Sequence, residues 1–234
     1  MGKPRIIALD AMGGDFGPAI VIPGAAIALA RYKNVRFQLF GREQVIAAEL
    51  QRHPDLAAVS TIIHSDVVVA MDDKPSQAVR RGRASNLWLA LEAVQKKEAD
   101  FAVSAGNTGA LMAMAKLCLK TMPGIARPAI AAQWPTIKRT AIVLDVGANI
   151  GADARQLCDY ALMGAAMARA LFRVERPIVG LLNVGSEEVK GVEEVKEAHA
   201  WLKQTDIAID YRGFVEADEI GKAMTTVVSL FNFL

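Results

Sequence analysis

Four short turns rich in Gly, Asn and Asp each follow an apolar, strand-like stretch, at residues 10–15, 104–109, 145–149 and 183–187. Open α/β sheets bind ligands outside the carboxyl ends of their strands, so four such turns are expected to converge on one crevice. Glycine lets the main chain approach a ligand closely, and the free N–H groups of a following helix suit phosphate. Residues 104–109 make the best phosphate cradle. Gly106 and Gly109 permit tight geometry, Ser104, Asn107 and Thr108 offer side-chain hydrogen bonds, and Thr108 opens an apolar helix. The plain structural alternative is a strand-to-helix turn capped by Ser104 or Thr108.

The other turns carry charge. Asp10 and Asp15 flank Gly13 and Gly14. Two carboxylates repel phosphate unless they pair with cations or turn toward main-chain N–H groups. They either orient a Lys or Arg, form turns for their own sake, or bind Mg²⁺, for which they are an incomplete oxygen set. Asn149 can donate to a substrate oxygen while Asp145 holds its turn together, or Asp145 simply makes an Asx turn. In the last cluster, Asn183, Gly185 and Lys190, Lys190 is the cation expected nearest phosphate. The alternative for Lys190 is a solvated charge at a helix entry.

Several chemistries lack their residues. Of three histidines, His53 precedes Pro54 and His199 lies in a charged helix, so only His64, ending a strand, is placed for a site. Cys and His show no metal-ligand spacing. There is no Gly-x-Ser-x-Gly elbow, P-loop or dinucleotide fingerprint. An acyl-enzyme mechanism is poorly supported, and no cofactor is expected. A site that binds phosphate without a covalent nucleophile suits reactions in which phosphate itself attacks, because phosphate already carries a nucleophilic oxygen. Such a site must hold phosphate beside its electrophile and stabilise the charge that develops on attack.

The elements that must position these groups alternate. Residues 5–10, 36–40, 61–65, 101–104, 129–134, 142–145 and 178–183 read as strands. Residues 19–31, 44–52, 86–97, 108–119, 154–172 and 192–203 show helical spacing of apolar residues. Pro18 suits a helix start and Ser85 an N-cap. The alternation predicts an α/β fold of three layers, a mostly parallel sheet with helices on both faces. Residues 70–83 read instead as a charged loop bearing Arg80, Arg81 and Arg83, either a solvated surface or a basic patch for an acidic partner. Met112, Met114 and Leu117 read as core or as an acyl-chain face. The Ala-rich stretch 154–172 can bury against an intrachain core or a second subunit.

The chain has 234 residues, 53% hydrophobic but only 6% aromatic, as expected of a sheet built from small aliphatic side chains. A net charge of +2 argues against bulk nucleic-acid binding. Cys118 and Cys158 sit in apolar helical patterns and read as reduced core thiols of a cytosolic protein. The N-terminus lacks signal-peptide form, and no apolar run reaches the ~18–20 residues that span a bilayer.

The four turns, in order and spacing, resemble the bacterial phosphate acyltransferases of phospholipid synthesis. The motifs are Asp10-Ala11-Met12-Gly13-Gly14-Asp15, Ser104-Ala105-Gly106-Asn107-Thr108-Gly109-Ala110, Leu144-Asp145-Val146-Gly147-Ala148-Asn149 and Gly180-Leu181-Leu182-Asn183-Val184-Gly185. The resemblance implies a Rossmann-like fold related to phosphate acetyltransferases. It also implies transfer of a fatty acyl group from acyl carrier protein to inorganic phosphate, giving acyl phosphate. Asn107, Asn149, Asn183 and Lys190 would be catalytic. Asp10, Gly13, Gly14, Asp15, Ser104, Gly106, Thr108, Gly109, Asp145 and Gly185 would bind substrate, and Arg80, Arg81 and Arg83 would meet the acidic carrier. A homodimer is implied, acting at the inner face of the membrane and handing its product to a glycerol-3-phosphate acyltransferase. A phosphate acetyltransferase-like enzyme using acyl-CoA and a non-catalytic carrier-binding scaffold are the competing readings. The resemblance covers residues 5–222; residues 1–222 are expected to form one α/β acyltransferase domain, incomplete at its C-terminus, and residues 223–234 read as a tail whose connection to it is open.

Overall fold

A computed structural model describes residues 2–137, 139–149, 151–187, 189–222 and 227–229; the side chains of Arg81 and of 227–229 are outside the description. The chain divides into two compact units, Met1–Met122 and Pro123–Leu234.

In the first unit, β1 (Arg5–Asp10), β2 (Val35–Gly41), β3 (Ser60–His64) and β4 (Phe101–Val103) form a parallel sheet in the order β3-β2-β1-β4. Strand periodicity splits its side chains between two cores. Leu9, Phe37 and Leu39 meet α1 (Pro18–Arg31), α2 (Glu43–Leu50) and α3 (Pro54–Ala57) on one face. Ala8 and Phe40 meet Ala90 and Ala93 of α5 (Asn86–Gln95) on the other. Helices thus cover both faces, as three-layer packing requires. The strand order reverses between β1 and β4, because the chain steps from β1 to β2 and β3 and later returns to the opposite side. That reversal is a topological switch point, where doubly wound sheets open a ligand crevice.

Pro18 starts α1, and Ser85 caps α5 by accepting the Trp88 N–H at 3.2 Å. Residues 70–83 are not the continuous loop the sequence suggests, since α4 spans Pro75–Arg81 and a 3₁₀ turn follows at Gly82–Ala84. Lys74 is extended, as a residue before proline should be, but Pro75 then occupies the first helical turn, where its missing N–H has no consequence. The final helix of this unit, α6 (Thr108–Leu119), packs with α4 and α5 around a wholly buried Met114, which settles as core.

In the second unit, β5 (Ala131–Pro135) runs antiparallel to β6 (Thr140–Leu144). Three parallel strands continue the sheet: β7 (Ile178–Leu182), β8 (Asp210–Val215) and β9 (Val227–Ser229), in the order β5-β6-β9-β7-β8. Apart from the β9 backbone, residues 223–234 lie outside the described residues. Ile142, Leu144, Val179 and Leu181 present one face to α7 (Ala154–Phe172) and α8 (Glu193–Lys203). The Ala-rich side of α7 is buried in this intrachain core through Ala154, Ala161, Ala165 and Ala168. A capping box of Asp153 and Gln156 starts α7, and Arg173 ends it in the left-handed conformation. Strands β8 and β9 and the short helices α3 and α9 (Ala217–Ile220) complete the elements that periodicity did not reveal.

Candidate functional site

Each unit carries two of the four turns. In the first, β1 and β4 are neighbours, so the turns leaving their carboxyl ends touch. Asp10, 2% exposed, is the hub. Its Oδ2 accepts the Ser104 hydroxyl at 2.7 Å, and its Oδ1 accepts the Met12 N–H at 3.2 Å and the Asn86 amide. Burial pushes the Asp10 carboxyl above its ordinary range, opposed by hydrogen bonds from Ser104, Asn86, Met12 and Gly13. Having donated to Asp10, Ser104 Oγ accepts the Gly106 N–H at 3.0 Å. Gly13 closes the contact, since a Cβ there would lie 2.7 Å from Asp10 Oδ2 and 2.8 Å from Gly106 N. Gly14 has φ +84° and lies against the Ala105 carbonyl. Glycine at both positions therefore follows from space and conformation.

The cap of α6 is Asn107, not Ser104 or Thr108. Its Oδ1 accepts the Ala110 N–H at 2.9 Å. Its Nδ2 donates to the carbonyls of Met71 and Asp73, both at 2.8 Å, and of Ala70 at 3.3 Å. One amide thus starts the helix and ties down the segment that leads into α4. Among the described residues, the N–H groups of Thr108 and Gly109 have no hydrogen-bond partner, and both residues are exposed. Pro75 crowds Gly109, where a Cβ would come within 2.8 Å of Pro75 Cγ. Asp15 is exposed, and among the described residues no three His, Cys, Asp or Glu are grouped to hold a metal ion.

The second unit repeats the logic. Asp145, 1% exposed, accepts the N–H groups of Ile130 (2.8 Å), Ala148 (3.1 Å) and Asn149 (2.8 Å), and the Asn149 amide at 2.8 Å. Asn149 Nδ2 also donates to the Pro128 carbonyl at 3.1 Å. Asn183, 4% exposed, donates to the carbonyls of Gly185 (3.1 Å) and Lys190 (3.0 Å). Lys190 pairs with Glu187 at 2.8 Å in a half-exposed ion pair that lies over Gly185. That bond raises the Lys190 pKa and lowers the Glu187 pKa. The three asparagines therefore hold their turns through carbonyls and N–H groups.

Of the three arginines expected to meet an acidic partner, Arg80 and Arg83 are exposed, Arg83 lying 5.7 Å from the Trp88 ring centroid; the Arg81 side chain is outside the described residues. His64 Nδ1 accepts the Glu43 N–H at 3.3 Å, with Asp66 3.3 Å from Nε2. Asn86 was not among the residues singled out from sequence. At the first position of a helix, just after its cap, an asparagine gives no signal beyond its polarity.

Comparison with solved structures defines the class. A phosphotransacetylase from Staphylococcus aureus aligns over 98% of this chain and 78% of its own, with a TM-score of 0.67 at 17% identity. A branched-chain phosphotransacylase from Enterococcus faecalis V583 aligns over 97% and 79%, with a TM-score of 0.63 at 11% identity. The fold is the mostly parallel, Rossmann-like α/β architecture of these proteins. Residues 6–233 match the family described as fatty acid synthesis protein, and the chain belongs to that family. Among curated relatives, the phosphate acyltransferase of Methylocella silvestris is 62% identical over 97% of this chain and 62% of its own length. That of Afipia carboxidovorans is 60% identical over 97% and 65%. The chain spans a little under two thirds of these relatives.

Proposed function

We propose that this chain is a phosphate acyltransferase, moving a fatty acyl group from the thioester of acyl carrier protein to inorganic phosphate. The observation that carries the reading is the pair of turns at the β1/β4 switch point, where a buried hydrogen-bond hub presents the free N–H groups of α6. Phosphate bound there faces the N-terminal end of the helix dipole. Its oxygen attacks the thioester carbonyl, a C–O bond forms, the tetrahedral oxyanion collapses and the C–S bond breaks. Acyl phosphate and a thiolate result, and the thiolate takes up a proton. Thr108, Gly109 and the adjoining Gly13, Gly14 and Gly106 form the anion cradle in this reading. Asp10, Ser104 and Asn107 hold it in shape; Asp145, Asn149, Asn183 and Gly185 do the same for the second pair of turns. Lys190 is the cation offered to phosphate or sulfur. Arg80, Arg81 and Arg83 meet the acidic carrier.

The relatives' shared name, phosphate acyltransferase, supports the acyl acceptor, and the family description supports a fatty acyl donor. The proposal extends to a cytoplasmic homodimer at the inner membrane face that supplies a glycerol-3-phosphate acyltransferase. No helix among the described residues is long and apolar enough to cross a membrane. The test incubates the 234-residue chain with acyl-acyl carrier protein, with and without phosphate, and traps acyl phosphate with hydroxylamine. Phosphate-dependent hydroxamate is expected, with acyl-CoA a poorer donor. No hydroxamate, or thioester loss indifferent to phosphate, overturns the proposal.

A further inference from the structure

Asn86 stands outside every motif, yet it is 1% exposed and directed at the hub of the first pair of turns. Its main chain is fixed twice over. The Asn86 N–H donates to the Val67 carbonyl at 3.1 Å, and the preceding Ser85 donates its hydroxyl to the Gly82 carbonyl at 2.6 Å while capping α5. The side chain therefore approaches Asp10 from a rigid base. Its Nδ2 donates to Asp10 Oδ1, whereas its Oδ1, wholly buried, has no hydrogen-bond partner among the described residues. A half-satisfied amide in the interior is unfavourable, and an apolar residue of similar volume would remove that cost. Among the described residues, Asp10 is the one group the side chain hydrogen-bonds, and its polar contribution comes through that bond.

We propose that Asn86 is a positioning residue for the phosphate turn, holding Asp10 so that Asp10 aligns Ser104 and, through it, the Gly106 N–H. The argument is one of hydrogen-bond direction. Asp10 Oδ2 must accept from Ser104 for the Ser104 oxygen to turn its lone pair to Gly106. An ionised Asp10 can only accept, so the order Asn86 to Asp10, Ser104 to Asp10, Gly106 to Ser104 is unique. A protonated Asp10 can donate to Ser104 instead, and the serine hydrogen then needs another acceptor. Asn86 is a side-chain donor that opposes protonation from within the core. Among the described residues, the groups that meet the carboxyl are Asn86 from α5, Ser104 and Gly106 from the neighbouring turn, and Met12 and Gly13 from its own; none is titratable. Asp15, the nearest acid along the chain, is exposed.

The inference rests on the proposed phosphate site, but its first readout does not. The Asp10 carboxyl carbon is followed by ¹³C NMR against pH in the wild-type chain and in Asn86→Ala, Asn86→Asp and Asn86→Ser. The Ala and Asp variants are expected to titrate at higher pH than wild type, because a donor is lost and, in Asp, a second carboxyl is added. The Ser variant, which keeps a donor, is expected between wild type and Ala. If a variant does not fold, the remaining pair still orders the series. The second readout is phosphate kinetics. Asn86→Ala should raise the KM for phosphate about tenfold or more, as loss of a hydrogen bond to a charged group implies. The acid limb of its pH profile should move up with the Asp10 titration, and Asn86→Ser should restore part of both. An Asp10 titration unchanged in folded variants overturns the positioning role even if the chain is active. A shifted Asp10 titration with wild-type phosphate KM and pH profile leaves Asn86 a purely structural residue and overturns it as well. A chain with no phosphate-dependent activity defeats the reaction assignment, while the NMR series still decides whether Asn86 governs Asp10.

Discussion

Replacing Asn107 with alanine should destabilise the first unit far more than replacing its neighbour Thr108. The Asn107 side chain makes the α6 cap at 2.9 Å and two bonds at 2.8 Å to the Met71 and Asp73 carbonyls. A lost Asn cap costs about 1 kcal/mol within a range of roughly 0.5–2, and each ordinary hydrogen bond is worth about 0.5–1.5 kcal/mol net. The sum is about 2–4 kcal/mol, and solvent reaching the freed carbonyls of this exposed loop pulls it to about 2 kcal/mol. Thr108 is exposed, and its side chain makes no hydrogen bond among the described residues, so Thr108→Ala should stay within about 0.5 kcal/mol. Urea unfolding reads the difference. With a slope of about 1–3 kcal/mol per molar, the Asn107→Ala midpoint should fall by about 1 M while Thr108→Ala barely moves. Amide exchange in residues 70–73 should quicken only in the Asn107 variant. If the two variants unfold together, the three-carbonyl anchor carries no energy, and the Asn107 amide is free to serve a ligand directly.

Gly13→Ala should lose about 1–3 kcal/mol by forcing a Cβ against Asp10 and Gly106. Gly24→Ala on α1, with nothing within 4 Å, should gain roughly 0.5–1 kcal/mol; equal effects in urea unfolding would refute the packing argument. Changing Arg80, Arg81 and Arg83 together to Glu should raise the KM for acyl carrier protein and flatten its salt dependence, since exposed charges are screened over about 8–10 Å. An unchanged KM in the folded variant would move the carrier's docking site elsewhere. Burial pushes the Cys158 thiol up to about 11. A raised pKa leaves less thiolate at any given pH, so alkylation at pH 8 should run about two orders of magnitude slower than for a free thiol and climb until the pH passes that value. A rate at pH 8 like that of free cysteine would show the thiol to be solvated.

Element type was legible wherever periodicity was long. The helix over 154–172 and the strand over 5–10 match their observed bounds, because an amphipathic pattern in the one and an unbroken apolar run between Arg5 and Asp10 in the other end at clear termini. Strand β8 was hidden because Asp210, Arg212 and Gly213 break the apolar run, and α4 because Pro75 and its charges read as loop chemistry. At the turns, glycine spacing marked where chain would meet chain, as Gly13 against Gly106 illustrates. What an asparagine amide does there was not legible. Asn107 and Asn149 bond carbonyls 36 and 21 positions away, which only the folded path brings within reach, while Asn183 closes its own turn onto Gly185 and Lys190. Asn86 shows the converse, a residue without a motif whose partner lies 76 positions away.

That separation also orders events in time. Asp10 is made among the first residues, yet Asn86 follows 76 positions later and Ser104 after 94. During synthesis, at about 5–20 residues per second, the carboxylate waits several seconds in water before either donor leaves the ribosome. It can enter the interior only when β4 has closed a loop of nearly a hundred residues beside β1, a long-range pairing that is slow by nature. Dehydration of one acid, closure of the sheet and assembly of the ligand turn are therefore a single cooperative event. Nascent chains halted before Ser104 should keep Asp10 titrating as an ordinary solvated aspartate, and the change in that titration would time the birth of the site.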